Sequence, residues 1–242
     1  MNNLQKYVDT IYGLLSRIAA EENESINQAA DYIAEYLGKD KNHLLHIIGT
    51  GEHSTMAASE LFKRAGGFFQ TNAILTNAVY YERQSGLISK ELDRYVIEEG
   101  SPAIVASHVG VNTLTIEAAE CFKKKGCFLI GVDAREISNS LPRDFHTRHP
   151  SGKNLYEICD VTIDAKIPFG DAVIEVDGAP QKIAPVSSYL IFAALHMLEI
   201  RIVEKMLEKG YEPGIYRSGN IPGGDEFNDK YKKFYTPLLK NY

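Results

Sequence analysis

Two short apolar runs, each stopping at small residues and a hydroxyl and passing straight into a helix, constrain this chain more than any other feature. The first is His46-Ile47-Ile48-Gly49-Thr50-Gly51-Glu52-His53-Ser54. The second is Ala103-Ile104-Val105-Ala106-Ser107-His108-Val109-Gly110-Val111-Asn112-Thr113. Charge-free runs of this length read as strands buried on both faces, which occur in parallel sheets flanked by helices. A strand that turns at once into a helix collects free backbone N–H groups, a helix start and Ser/Thr hydroxyls at one sheet edge. Such an edge suits a phosphate group.

The rest of the chain supplies the missing layers. Leu4, Val8, Ile11, Leu14, Leu15 and Ile18 fall on one helical stripe, Glu21 to Ser25 interrupt it, and Ile26 to Leu37 resume it. Strands are expected at 44–48, 68–75, 103–107, 128–132 and 161–163, with helices at 55–64 and 113–125. Gly66-Gly67 and Gly126 follow those helices as stops. Ala172 to Val176 and Gln181 to Ile183 around Asp177-Gly178 read as a hairpin, and 189–207 as a strongly apolar helix closed by Gly210. A short last helix follows Ser218 to Glu226. The alternation predicts an α/β fold with a mainly parallel sheet between helical layers. No low-complexity linker divides it. One unit over 1–242 is expected, its N-terminal helices (1–37) and C-terminal tail (211–242) packing on the sheet or on a partner subunit.

Composition narrows the partners. With 242 residues, 44% hydrophobic and 24% charged, the chain is ordinary for a globular protein. Its formal charge of −6, with no basic patch interleaved with aromatics, speaks against a nucleic-acid surface. No apolar run is long enough to span a bilayer, and Met1 to Lys6 lacks a signal-peptide core. A cytoplasmic location without membrane contact is the expectation. Three cysteines, Cys121, Cys127 and Cys159, lack metal-like spacing and read as reduced thiols.

At the two junctions the chain resembles the SIS (sugar isomerase) family of phosphosugar-binding domains. Gly49, Gly51 and Ser54 match its first signature, G-x-G-x-S. Ser107 and Gly110 match part of its second, S-x-S-G-x-T, but Val109 replaces a serine and Asn112 a threonine. A bacterial branch of the family is closer still. It shares Glu60-Leu61-Phe62-Lys63-Arg64-Ala65-Gly66-Gly67, Ser151 to Glu157 (S-G-K-x-L-Y-E), Gly170-Asp171-Ala172 and Ser218 to Asn228 (S-x-N-x-x-G-G-D-E-x-N). The chain departs from that branch between Ala78 and Gly100. The resemblance implies a three-layer α/β/α sandwich with a five-stranded flavodoxin-like sheet.

It also implies a function: binding of a sugar phosphate and its aldose–ketose isomerisation through an enediolate. That chemistry needs no organic cofactor, and His146 and His149 lack the third ligand that a metal site would need, so no metal is expected. Gly49, Gly51, Ser54, Ser107, His108, Asn112, Thr113 and Ser187 are the candidate substrate-binding residues, although Ser54, Asn112, Thr113 and Ser187 would serve equally as helix caps. Proton transfer needs a base and an acid near the carbonyl. Glu60, His53 and His196 are the candidates. The plain alternatives are an i,i+4 ion pair of Glu60 with Arg64 and a packed His196 beside Glu199. Arg143, His146, Arg148 and His149 form a basic loop suited to a lid. Rival readings are an amino-sugar-phosphate etherase or lyase, and a non-catalytic sugar-phosphate sensor. A homo-oligomer, dimer or tetramer, is expected from the excess of apolar helix surface.

Overall fold

The computed structural model describes residues 2–76 and 82–241. Its centre is a five-stranded parallel sheet in the order β2-β1-β3-β4-β5, with β1 Leu45–Gly49, β2 Thr71–Ile74, β3 Pro102–Ala106, β4 Phe128–Asp133 and β5 Val161–Asp164. This is the flavodoxin-like order that the resemblance implies. The strands β1, β2 and β3 carry no acidic, lysine or arginine residue and are buried throughout, and along the sheet alternate residues enter opposite layers. Ile47, Ala73, Ile104, Ile130, Val132 and Ile163 pack on one face, and Ile48, Ile74, Val105 and Leu129 on the other.

Among the described residues, the first face is covered mainly by α1 Asn3–Glu21, α2 Asn23–Lys39, α3 Thr55–Leu61 and the long α-helix Ser187–Glu208, with Ile137 of a short helix in the same cluster. The second is covered by α4 Ile88–Leu92 and α5 Thr113–Lys124. In chain order α6 is Arg135–Ser140, the long helix is α7, and α8 is Gly224–Tyr235. The interrupted N-terminal stripe is resolved as two helices. Between them, buried Glu22 turns inward to accept the Asp164 N–H and an ion pair from Lys166. The antiparallel hairpin β6 Ala172–Ile174 and β7 Ile183–Pro185 precedes α7.

Two boundaries differ from the sequence reading by three residues, the others by two at most. The helix after the first junction stops at Leu61, not Arg64, because Phe62 is extended and Lys63 adopts a positive φ of 52°. The second strand starts at Thr71, not 68, because Phe68 pairs instead with Ile215 of the C-terminal segment. That segment docks through Phe69, whose ring lies 3.7 Å from Tyr216 and 4.5 Å from Tyr231 between centroids. Of the divergent stretch 78–100, residues 78–81 fall outside the described residues. The remainder carries α4 and, at Glu82, a contact with the start of α5.

Registers along the sheet decide where the site lies. Ile48 pairs with Val105 and Gly49 with Ala106, so β1 and β3 end level with each other. The chain leaves β1 toward β2 on one side, while β3 lies on the other. A parallel sheet opens its ligand crevice at this kind of reversal. Thr50 seals the seam: its N–H donates to Ala106 O at 2.9 Å, and its hydroxyl meets that of Thr115 at 2.8 Å.

At the end of β1 the chain folds back so tightly that a Cβ on Gly49 would lie 1.7 Å from the Ser54 carbonyl oxygen. Backbone, unlike a side-chain tip, has little room to yield. Gly49→Ala is expected to cost about 3 kcal/mol, read as a lowered urea midpoint with an unchanged slope.

Candidate functional site

The two turns after β1 and β3 are brought together as one wall of a cavity of about 630 Å³ at the C-terminal edge of the sheet. Gly51, His53 and Ser54 come from the first turn, and Ser107, His108, Val109 and Asn112 from the second. The volume falls within the ordinary range for a small-molecule site. One bond ties the turns directly: the His108 N–H donates to Ser54 Oγ at 3.1 Å. Ser54 makes no side-chain capping bond to α3, so its hydroxyl serves the seam between turns.

Ser107 is equally committed. Its Oγ accepts the Gly110 N–H at 3.0 Å and the Thr115 hydroxyl at 3.2 Å, which closes the second turn on itself. Asn112 precedes α5 without capping it; its side-chain amide instead donates to the Glu82 carboxylate. His108 is half-buried, and burial pushes its pKa below the usual imidazole value, which favours the neutral ring near pH 7. Thr113 and Gly49 sit behind the wall, and neither is among the residues lining the cavity.

Glu52, Glu82, Arg83, Gln84 and Thr147 complete the lining. Sequence reasoning did not single these out. Glu82 to Gln84 follow the divergent stretch, where no periodic pattern assigns a position. Thr147 lies in the basic loop, whose two arginines turn out not to face a ligand. Arg148 is buried, and its guanidinium donates to Ser138 O, Leu141 O, Gly152 O, Lys153 O and Asn154 Oδ1. Arg143 pairs with Glu157 at 2.7 Å. These two guanidinium groups fold the Ser151 to Glu157 motif and are not arranged as a cationic lid. Buried Ser187 is held elsewhere as well: its hydroxyl donates to Asp171 Oδ2 at 2.7 Å, while Asp171 Oδ1 accepts the N–H groups of Val186 and Ser187. The Gly-Asp-Ala motif thereby anchors the start of α7.

Glu60 and His196 are brought together, but not at this cavity. His196 Nε2 lies 3.0 Å from Glu60 Oε1, and its Nδ1 lies 2.7 Å from Glu199 Oε2. Glu60 also forms the anticipated ion pair with Arg64, at 2.7 Å. His196 and Glu199, with Arg64, border a separate depression of about 340 Å³ beside Gly66, Gly67 and Ile200. An imidazole between two carboxylates favours its cationic form. The bond to Glu199, followed by that to Glu60, raises the pKa of His196 against the lowering effect of burial. His196 stands in a row of exposed apolar residues on α7: Tyr189 is 56% exposed, Ile200 60% and Leu207 61%.

Two measurements check this geometry. Ser54→Ala leaves the His108 N–H without its partner at a nearly dry seam, and is expected to cost about 1–3 kcal/mol of stability in urea unfolding. For His196, the raised pKa means its contribution is complete below the unfolded-state value and is lost as pH rises through the folded-state value. Its ring signals in an NMR titration should move at higher pH than a free imidazole, and Glu199→Gln should bring that midpoint down.

Similarity to known proteins agrees with the geometry. The SIS domain model matches residues 6–134. A UPF0309 protein of Caldanaerobacter subterraneus subsp. tengcongensis is 38% identical over 246 aligned positions, covering 95% of this chain and 98% of the other. One from Listeria monocytogenes is 37% identical over 223, covering 92% of each. Among solved structures, a phosphoheptose isomerase from Francisella tularensis superposes with a TM-score of 0.53 at 15% identity, covering 84% of this chain and all of the other. Among the described residues, no helix is long and apolar enough to cross a membrane. A sheet in flavodoxin-like order, a cavity at the β1/β3 seam and these matches lead to one conclusion: the chain belongs to the SIS domain family and, within it, to the UPF0309 proteins.

Proposed function

We propose that this protein binds a sugar phosphate in the cavity at the β1/β3 seam and isomerises it between aldose and ketose forms. The observation that carries the reading is the seam itself. Two turns rich in hydroxyls and amides are locked together by the Ser54–His108 bond over a cavity of about 630 Å³. Gly51, Ser54, Ser107, His108 and Asn112 hold the phosphate end in this reading, using neutral donors. Val109 lines the cavity where the family signature has a serine. The loss of one charge-assisted hydrogen bond there weakens phosphate binding by about 1.5–3 kcal/mol.

The chemistry requires removal of a proton beside a carbonyl and its return to the neighbouring carbon. Glu60 is the proposed base, with the His196 imidazolium as the acid that serves the substrate oxygens and His53 at the cavity wall assisting. Glu60 and His196 lie outside the cavity of their own chain, on a face flanked by exposed apolar residues. A homo-oligomer that covers this face supplies the pair of one copy to the cavity of another. The fixed positions of donors and base then stabilise the enediolate without a cofactor.

The same separation favours a second reading, a non-catalytic sensor that binds a sugar phosphate and changes its contacts with a partner. Proton NMR in heavy water separates the two. Isomerisation predicts incorporation of solvent deuterium beside the carbonyl of a hexose, amino-sugar or heptose phosphate. Glu60→Gln should leave binding within about twofold and slow exchange by roughly 10²–10⁴-fold. Mixing inactive Glu60→Gln protein with inactive Ser54→Ala protein should restore part of the exchange if the site is shared between copies. Binding with no exchange in the wild type supports the sensor. Exchange that survives Glu60→Gln removes Glu60 from the mechanism.

A further inference from the structure

Behind the second turn, at the end of β4, lies a carboxyl group that neither the fold nor the proposed chemistry accounts for. Asp133 is fully buried, and neither of its carboxyl oxygens has a hydrogen-bond partner among the described residues. Its oxygen faces the backbone of Gly110, which adopts a φ of +72°; a Cβ there would lie 2.2 Å from Asp133 Oδ2. Gly110 belongs to the turn in which Ser107, His108, Val109 and Asn112 line the cavity, and its N–H is the one bound to Ser107 Oγ. The carboxyl thus packs against the backbone of the turn whose neighbouring residues line the cavity.

A buried charge without partners is among the costliest groups a protein can hold, and neutralisation by a proton is the usual escape. The surroundings of Asp133 reinforce that outcome. Asp164 on β5 and Glu22 at the α1–α2 junction face it with like charge, and only Arg135 on α6 opposes them. Lys166 is engaged by Asp164, Glu21 and Glu22. The thiol of Cys159, ahead of β5, is pushed up by burial first and by Asp133 second. Burial, aided by Asp164, pushes the Asp133 carboxyl up to about 7.

We infer that Asp133 is a positioning residue for the phosphate-facing turn and holds a proton whenever an anion occupies the cavity, so that anion binding draws a proton onto it. The inference rests on the reading of this cavity as a phosphate seat. Its physical basis is that an ionised Asp133 and a dianionic ligand would repel each other across the Gly110 turn with little water between them. The neutral acid removes that repulsion and leaves the turn amides free to serve the ligand. Asp133 takes no part in the proton transfer to substrate.

The test uses inorganic sulfate, which stays dianionic across the pH range and so does not titrate. Calorimetry on the 242-residue chain from about pH 6 to 9 reads its affinity and, in two buffers of different ionisation heat, the protons taken up. The expected result is a wild-type affinity that falls by up to about tenfold per pH unit above neutrality, with up to one proton bound per sulfate. His53 and His108 also face the cavity, and Asp133→Asn keeps both while removing the carboxyl. That variant should bind sulfate with a flatter pH profile and lose the proton uptake. A second measurement needs no variant: in the wild type, sulfate should move the Asp133 side-chain ¹³C signal toward the protonated carboxyl position. Identical pH profiles in wild type and Asp133→Asn, or a signal ionised throughout, overturn the role of Asp133 and leave the cavity reading intact. If neither protein binds sulfate or inorganic phosphate at any pH, the phosphate seat fails, and the inference falls with it.

Discussion

The in-register pairing of β1 with β3 is the constraint on which the site depends. Parallel strands of matched length deliver the turns after Gly49 and Ala106 to the same height, and the Ser54–His108 bond converts that closeness into a single wall. Side chains that sequence alone would assign to helix capping are thereby released from it. Ser54 bridges turns and Asn112 reaches across to Glu82, while Ser107, at the end of β3, closes its own turn. Local preference puts hydroxyl and amide residues at helix starts; tertiary geometry decides which neighbour they bond.

The electrostatic character of the cavity follows from the same economy. A chain with a formal charge of −6 presents few cations at this edge, and its wall carries the carboxylates of Glu52 and Glu82 beside Arg83. An anion there is met by oriented dipoles more than by opposite charge. Recognition of that kind is short-ranged and directional. It places unusual weight on what lies directly behind the amides, because any charge there is felt with little screening.

Much of this arrangement is readable from the residues. The two charge-free runs, their abrupt glycine and hydroxyl ends and the apolar periodicity of the flanking helices give the sheet, its layers and the residues at the seam. The hairpin around Asp177-Gly178 follows from its turn chemistry. What the sequence conceals is long-range pairing. Phe68 answers to Ile215 and not to β1, which shortens the second strand, and Lys63 takes a backbone conformation no propensity rule would assign to lysine. The lining residues Glu82 to Gln84 lie in a stretch without periodicity, and Glu82 is held there by the backbone bond from Leu114 N–H to its carbonyl. Arg148 looks like a surface cation in sequence, yet five oxygens from its surroundings draw its guanidinium inward. Glu60 and His196 are 136 positions apart and meet because α3 and α7 share one face of the sheet.

Asp171 gives the hairpin an independence of its own. Its carboxylate gathers the N–H groups of Val186 and Ser187 and the Ser187 hydroxyl, so residues fifteen positions apart are joined at the base of the excursion. The path between them is a closed loop, pinned where it leaves and re-enters the body. Changes in length within such a loop cost little, since closure entropy grows only slowly with the number of residues. The hairpin tip is therefore a natural point of divergence, free to be lengthened, trimmed or replaced by a graft while α7 keeps its direction.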